Sequence, residues 1–160
     1  MLRIILAASL LLISGCSQTS SVENEYQPEL SFEAETVFGD TYDFEQLEGK
    51  DTVLWFWTPW CAICAKESQD VAELQKEFPE VEFLGIAGQG SAAEMRQFVE
   101  RTGTEGFTHL ADTTGEIWAN FSVPIQPSLV TVDSEGRPTL HVGPSTKSEL
   151  RQRIQKLSLD

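Results

Sequence analysis

The sequence predicts an α/β fold in which a central mixed β-sheet is flanked by helices, and three observations predict it. Apolar strand-like runs alternate with stretches of helical period. A strand pair opens this pattern, and a hairpin followed by a helix closes it. One run in between, residues 52–57, carries bulky residues on both faces, as a strand at the centre of a sheet requires.

In chain order, residues 31–37 and 41–44 flank Phe38-Gly39-Asp40 and read as a strand pair around a glycine-containing turn. After the central strand, residues 62–78 put Cys64, Ser68, Val71, Leu74 and Phe78 on one face at helical spacing, so Cys64 faces the core. Residues 81–87 form another apolar strand. Ser91-Ala92-Ala93-Glu94 is a capping box, and the helix that it opens turns Met95, Phe98, Val99 and Thr102 inward before Gly103 ends it. A short strand over 108–110 and a helix over 116–121 follow. Residues 128–133 and 138–142 bracket Ser134-Glu135-Gly136-Arg137 as a hairpin, and Thr146-x-x-Glu149 caps a last helix with Leu150, Ile154 and Leu157 inward. No repeat and no second linker divides the roughly 130 residues after Leu30, a length that suits one core and is too short for two.

The chemistry lies in Trp57-Thr58-Pro59-Trp60-Cys61-Ala62-Ile63-Cys64, where strand gives way to helix. Two thiols at i and i+3 can close into a disulfide when the first sits just before a helix and the second in its first turn. The unpaired amide N–H groups and the positive end of the helix dipole then favour the thiolate of Cys61, so Cys61 attacks and Cys64 resolves. Zinc would need two further ligands near this pair. Only His109 and His141 are available, with no second Cys pair and no His-x-x-x-His spacing, so neither a metal nor another cofactor is expected. A peroxidase would need a Thr or Ser and an Arg around a single reactive cysteine, and the continuation to Cys64 argues against it.

Arg3 followed by the apolar residues 4–13 forms a targeting segment too short to span a bilayer. It ends in Ile13-Ser14-Gly15-Cys16, which resembles a bacterial lipobox. The resemblance implies that residues 1–15 are a lipoprotein signal peptide and that Cys16 carries the lipid. An ordinary secretory peptide is the plainer alternative. Residues 16–29 are polar with little to bury and suit a flexible tether, which leaves 30–160 as the folded domain. The chain has 25 acidic and 11 basic residues, and losing Arg3 leaves 25 against 10, a formal charge of −15. Nucleic acid is thereby excluded as a partner, and the acidity serves solubility and self-repulsion.

The segment around Cys61, together with Asp112-x-x-Gly115 and Phe121-Ser122-Val123-Pro124-Ile125-Gln126-Pro127 and the strand after it, resembles the TlpA/ResA/DsbE group of thioredoxin-like thiol:disulfide oxidoreductases. Trp-Phe-Trp-Thr-Pro-Trp-Cys combined with Val-Pro-x-Gln-Pro is most similar to secreted or lipid-anchored DsbE/DsbF-like proteins of actinobacteria. The resemblance covers residues 31–157 and implies a thioredoxin-like fold with an N-terminal β-hairpin and a central αβ insertion. It makes Pro127 a cis-proline facing the dithiol, and Gln126 a backbone against which an extended substrate pairs. Trp60 then forms a rim of the substrate surface, while Trp55 and Trp57 pack inside.

Two departures from thioredoxin matter. The buried acid that thioredoxin keeps six residues before its first active-site cysteine is here Trp55, and the kinking proline of the active-site helix is here Gln69. Glu67, three residues after Cys64, matches an acidic position common in the TlpA/ResA group. It is either a proton-transfer group for Cys64 or a solvated side chain.

The reaction expected is thiol-disulfide exchange in the bacterial cell envelope, on the extracytoplasmic side of the membrane. Its partners would be exported proteins with thiols or disulfides and a membrane redox partner, and the protein would act as a monomer. An oxidising compartment, the missing acid at Trp55 and the actinobacterial resemblance favour oxidation of substrate thiols. The alternatives are an envelope reductase of the cytochrome c maturation type, against which Ser128 follows Pro127, and a Cu(I) chaperone using two cysteines and His141, whose Cys-x-x-x-Cys spacing this chain lacks.

Overall fold

The computed structural model describes residues 28–157. A two-stranded hairpin, β1 (Glu33–Glu35) and β2 (Thr41–Asp43), is followed by a short 3-10 helix, Phe44–Leu47. Next come β3 (Thr52–Trp57), α1 (Ala62–Glu77), β4 (Glu82–Gly88), α2 (Ala92–Thr102), β5 (Thr108–Asp112) and α3 (Glu116–Asn120). The chain closes with β6 (Ser128–Val132), β7 (Pro138–Val142) and α4 (Lys147–Leu157). The main sheet has the order β5-β4-β3-β6-β7. β3, β4 and β5 run parallel, and β6 and β7 are antiparallel to their neighbours. This is the thioredoxin-like fold that the sequence implies, with α2 and β5 as the inserted αβ unit on one edge.

β3 sits in the middle because both of its faces are apolar. Val53, Trp55 and Trp57 pack with Val71 and Leu74 of α1, Phe98 and Val99 of α2, and Leu150 and Ile154 of α4. Leu54 and Phe56 face the other way, into a cluster with Phe44, Leu84, Ile86, Leu110, Trp118 and Phe121. Each large apolar side chain buried in this way contributes about 1.5–3 kcal/mol. Trp57 also stacks on Phe98 with ring centres 4.2 Å apart, a contact that fixes where β3 ends and the active-site turn begins.

The hairpin strands and β5 differ from expectation for local reasons. β1 and β2 are shorter than the sequence suggests. The Thr36 amide N–H donates to the Asp40 carbonyl, Val37 N–H turns to the His109 carbonyl on β5, and the Asp43 carboxylate caps the 3-10 helix by accepting from Glu45 N–H. β5 instead runs two residues longer. Its last residue, Asp112, is buried and caps α3 by accepting from the amides of Gly115 and Trp118, which is the physical content of Asp112-x-x-Gly115. Glu29 already exchanges hydrogen bonds with Asn120, so the contacts of the domain begin before Leu30.

His109 lies inside the core. Its Nδ1 accepts from the Trp57 indole N–H at 3.2 Å, so Nε2 carries the proton and donates to the Thr104 carbonyl at 2.9 Å. Gly85 faces it across the β4–β5 ladder, and a Cβ there would overlap the imidazole. Burial pushes the His109 pKa down to about 4, opposed by the Thr104 carbonyl. The unfolded chain therefore takes up a proton near pH 6.5 that the folded chain refuses until about pH 4, and stability falls as pH drops through that window. Between about pH 7 and pH 5 the loss due to His109 is about 2 kcal/mol. Urea unfolding should show this loss in the wild type and its absence in His109→Gln, whereas equal pH dependence in the two proteins would contradict the assignment.

Candidate active site

β3 delivers the chain to the site, and α1 receives it. Cys61 is the N-cap of α1, with extended backbone angles and an amide N–H that donates to the Thr58 carbonyl at 3.2 Å. Its carbonyl accepts the Ala65 N–H, and its sulfur accepts the N–H of Cys64 at 3.0 Å. The Cys61 sulfur thus takes the place that a capping oxygen usually holds, among amides with no partner of their own within the helix. Cys61 and Cys64 are joined as a disulfide, with Cα atoms 5.2 Å apart. Cys61 retains 8% exposure and Cys64 none, so an incoming sulfur reaches only Cys61.

Pro127 precedes β6, and the Gln126–Pro127 peptide bond is cis. The antiparallel register pairs Phe56 with Ser128, which sets Pro127 beside the end of β3 from which the Cys61 turn departs. The Pro127 carbonyl accepts from Gly143 N–H, and Gln126 is half-buried next to it. Trp60 is 61% exposed at the turn, and its indole N–H donates to the Gln89 carbonyl at 3.0 Å. Gln89 adopts φ 53°, a left-handed conformation unusual for a residue with a side chain, and the adjoining Gly90 leaves no room for a Cβ against Pro59. Ile63 and Ile125 are also exposed, so the disulfide lies among large apolar side chains open to solvent.

Glu67 is not a solvated side chain. It lies on the buried face of α1, 6% exposed and three residues beyond Cys64, which puts the two one helical turn apart on the same side. Its Oε2 accepts from the Trp55 indole N–H at 2.8 Å, and its Oε1 accepts from the Ser145 backbone N–H at 2.9 Å. Burial raises its pKa, the two donors act against that, and the charge of Asp70 adds to it. Neither donor role is legible in the sequence: position 55 stands out only as the place of a missing acid, its indole reading as packing, and Ser145 belongs to the loop after β7, where no motif marks it. Gln89 was likewise invisible, because it acts through its carbonyl.

His141 lies on β7, paired with Leu129. Among the described residues no group of three His, Cys, Asp or Glu side chains is placed to hold a metal ion. Cys16 falls outside the described residues, as do the expected signal peptide over 1–15 and most of the expected tether over 16–29.

Comparison with known proteins agrees with this geometry. Residues 27–139 match the model of the AhpC/TSA family. Over 132 residues the chain is 37% identical to the soluble secreted antigen MPT53 of Mycobacterium tuberculosis, covering 81% of this chain and 76% of that protein. The structure of MTB dsbF in mixed oxidized and reduced forms superposes with a TM-score of 0.77 at 41% identity, over 80% of this chain and 96% of the other. A secreted M. tuberculosis disulfide oxidoreductase homologous to E. coli DsbE gives a TM-score of 0.74 at 36% identity, covering 79% and 96%. The DsbE/DsbF-like resemblance carried by the two sequence motifs is thereby borne out.

Proposed function

Because the chain belongs to the AhpC/TSA family and is a thiol:disulfide oxidoreductase, we propose that it works as an oxidant, passing the Cys61–Cys64 disulfide to thiols of exported proteins. The observation that carries this reading is the Cys61 sulfur at the mouth of α1, accepting the Cys64 N–H. A helix N-terminus that favours the Cys61 thiolate stabilises the reduced form of the pair, and a stabilised reduced form makes a stronger oxidant.

The steps follow from the exposure of the two sulfurs. A substrate thiolate approaches along Gln126 and Pro127, with Trp60 as a rim, and attacks the Cys61 sulfur. The Cys61–Cys64 bond breaks, its electron pair leaves on Cys64, and a substrate–Cys61 mixed disulfide forms. Cys64 departs into a sealed interior where an unpaired thiolate is costly, so it takes a proton from Glu67, whose burial keeps it a willing donor. A second substrate thiolate then attacks the substrate sulfur of the mixed disulfide and displaces Cys61 as a thiolate. Two electrons have moved from substrate to protein, and a membrane partner takes them on to restore the disulfide.

The site of action in this reading is outside the cytoplasm, supported by the relative described as a secreted antigen. Ile13-Ser14-Gly15-Cys16 supports a lipid on Cys16 that holds a monomer at the envelope surface.

Equilibration of the domain with glutathione should give a potential well above thioredoxin's, which is about −270 mV. One equivalent of oxidised protein should also form disulfides in a reduced, unfolded secreted substrate. A potential as low as thioredoxin's would contradict the oxidant reading and favour the reductase. For the anchor, cell fractionation should find the full chain with the membrane and Cys16→Ser in the soluble fraction; the same distribution for both would exclude lipid attachment at Cys16.

A further inference from the structure

The buried face behind the disulfide contains a donor that the exchange chemistry does not itself require. Trp55 is 1% exposed, and its ring is held on three sides: stacked on Trp57 with centres 6.0 Å apart, tilted against Phe98 at 6.3 Å, and edge-on to His109 at 6.5 Å. Its one polar atom points at Glu67 and donates to Oε2 at 2.8 Å. A ring locked in this way cannot follow a carboxylate that moves, so the hydrogen bond fixes the carboxylate. Ser145 N–H fixes the other oxygen from the loop between β7 and α4. An indole neither gives up nor accepts a proton in the working pH range, so Trp55 cannot serve Cys64 as an acid at this position would.

We propose that Trp55 is a positioning residue for proton transfer at Cys64: through its N–H it holds the Glu67 carboxylate on the Cys64 side of the core and sets how tightly that carboxylate keeps its proton. This rests on the reading of Glu67 as the proton donor given above. The balance is simple. The proton that Glu67 releases goes to the Cys64 sulfur as the disulfide bond breaks, and the indole N–H, never transferred, stabilises the carboxylate left behind. The other ionisable groups around the pair are few. Asp70 lies farther along α1 and its charge raises Glu67, while His109, against the far edge of Trp55, stays neutral down to about pH 4.

The test follows reduction of the oxidised protein by excess dithiothreitol in stopped flow, with each rate divided by the thiolate fraction of the reagent at that pH. In the wild type the corrected rate should fall as pH rises through the ionisation of Glu67, because the donor is lost. Trp55→Phe removes one stabilising hydrogen bond from the carboxylate and should move that inflection upward by about one pH unit. Glu67→Gln should abolish the inflection, and the double variant should match Glu67→Gln alone. If Trp55→Phe fails to fold, benzothienylalanine placed at position 55 keeps the ring shape, replaces N–H by sulfur, and should give the same shift. A wild-type inflection in either Trp55 variant, with Glu67→Gln still lacking one, overturns the positioning role and leaves Trp55 as packing. Persistence of the wild-type inflection in Glu67→Gln overturns the proton-donor reading itself.

Discussion

The exchange chemistry of this protein depends on a cysteine being the N-cap of α1. The cap position forces Cys61 into extended backbone and the following residues into helix. The Cys61 sulfur is therefore presented to the free amides at the helix end, and Cys64 is carried one turn inward to zero exposure. Two chemically identical thiols become unequal through a single turn of backbone. The fold exists to hold that turn still. β3 is clamped between parallel β4 and antiparallel β6, and its last tryptophan is stacked on Phe98 and bonded to a core histidine. The start of α1 therefore has little freedom to shift.

The inner side of the disulfide poses the opposite problem, since a leaving thiolate sealed from water needs a proton. Thioredoxin keeps an acid at the strand position that Trp55 occupies here, and this chain instead has its carboxylate on the helix, one turn beyond Cys64. A buried carboxylate is costly unless donors meet it. Among the described residues Glu67 meets two neutral donors and no cation, an arrangement that keeps it in place while leaving its affinity for a proton high. The same two bonds tie β3, α1 and the loop before α4 together, so the carboxylate behind the disulfide and the packing of three elements form one structure.

Much of this was visible in the residues themselves. The central strand, the capped helices α2 and α4, and the β6–β7 hairpin each carry a periodicity or a cap that local physics reads directly. The dithiol and the proline of the Gln126–Pro127 bond stand in motifs. The N-terminal strands read too long because propensity alone does not show that Asp43 caps a 3-10 turn or that Val37 bonds to His109. α3, five residues long, owes its start to a carboxylate on the preceding strand. Least legible were groups that act through the backbone or through a partner distant in sequence: the Gln89 carbonyl under Trp60, the Ser145 amide, and the Trp55 N–H. The tryptophan was legible as a large apolar residue at a core position. That its one polar atom would find the one buried glutamate of α1 is a fact of the third dimension.

Whether the cap position divides the two thiols in this way is read from the pH dependence of alkylation of the freshly reduced protein, resolved by site. Cys61 should react alone, with a rate that rises through a pKa well below the ordinary thiol value of about 8.5, while Cys64 stays unmodified in the folded state. Equal reaction of both cysteines, or a Cys61 pKa at or above that of a free thiol, would show that the cap position does not set the two thiols apart.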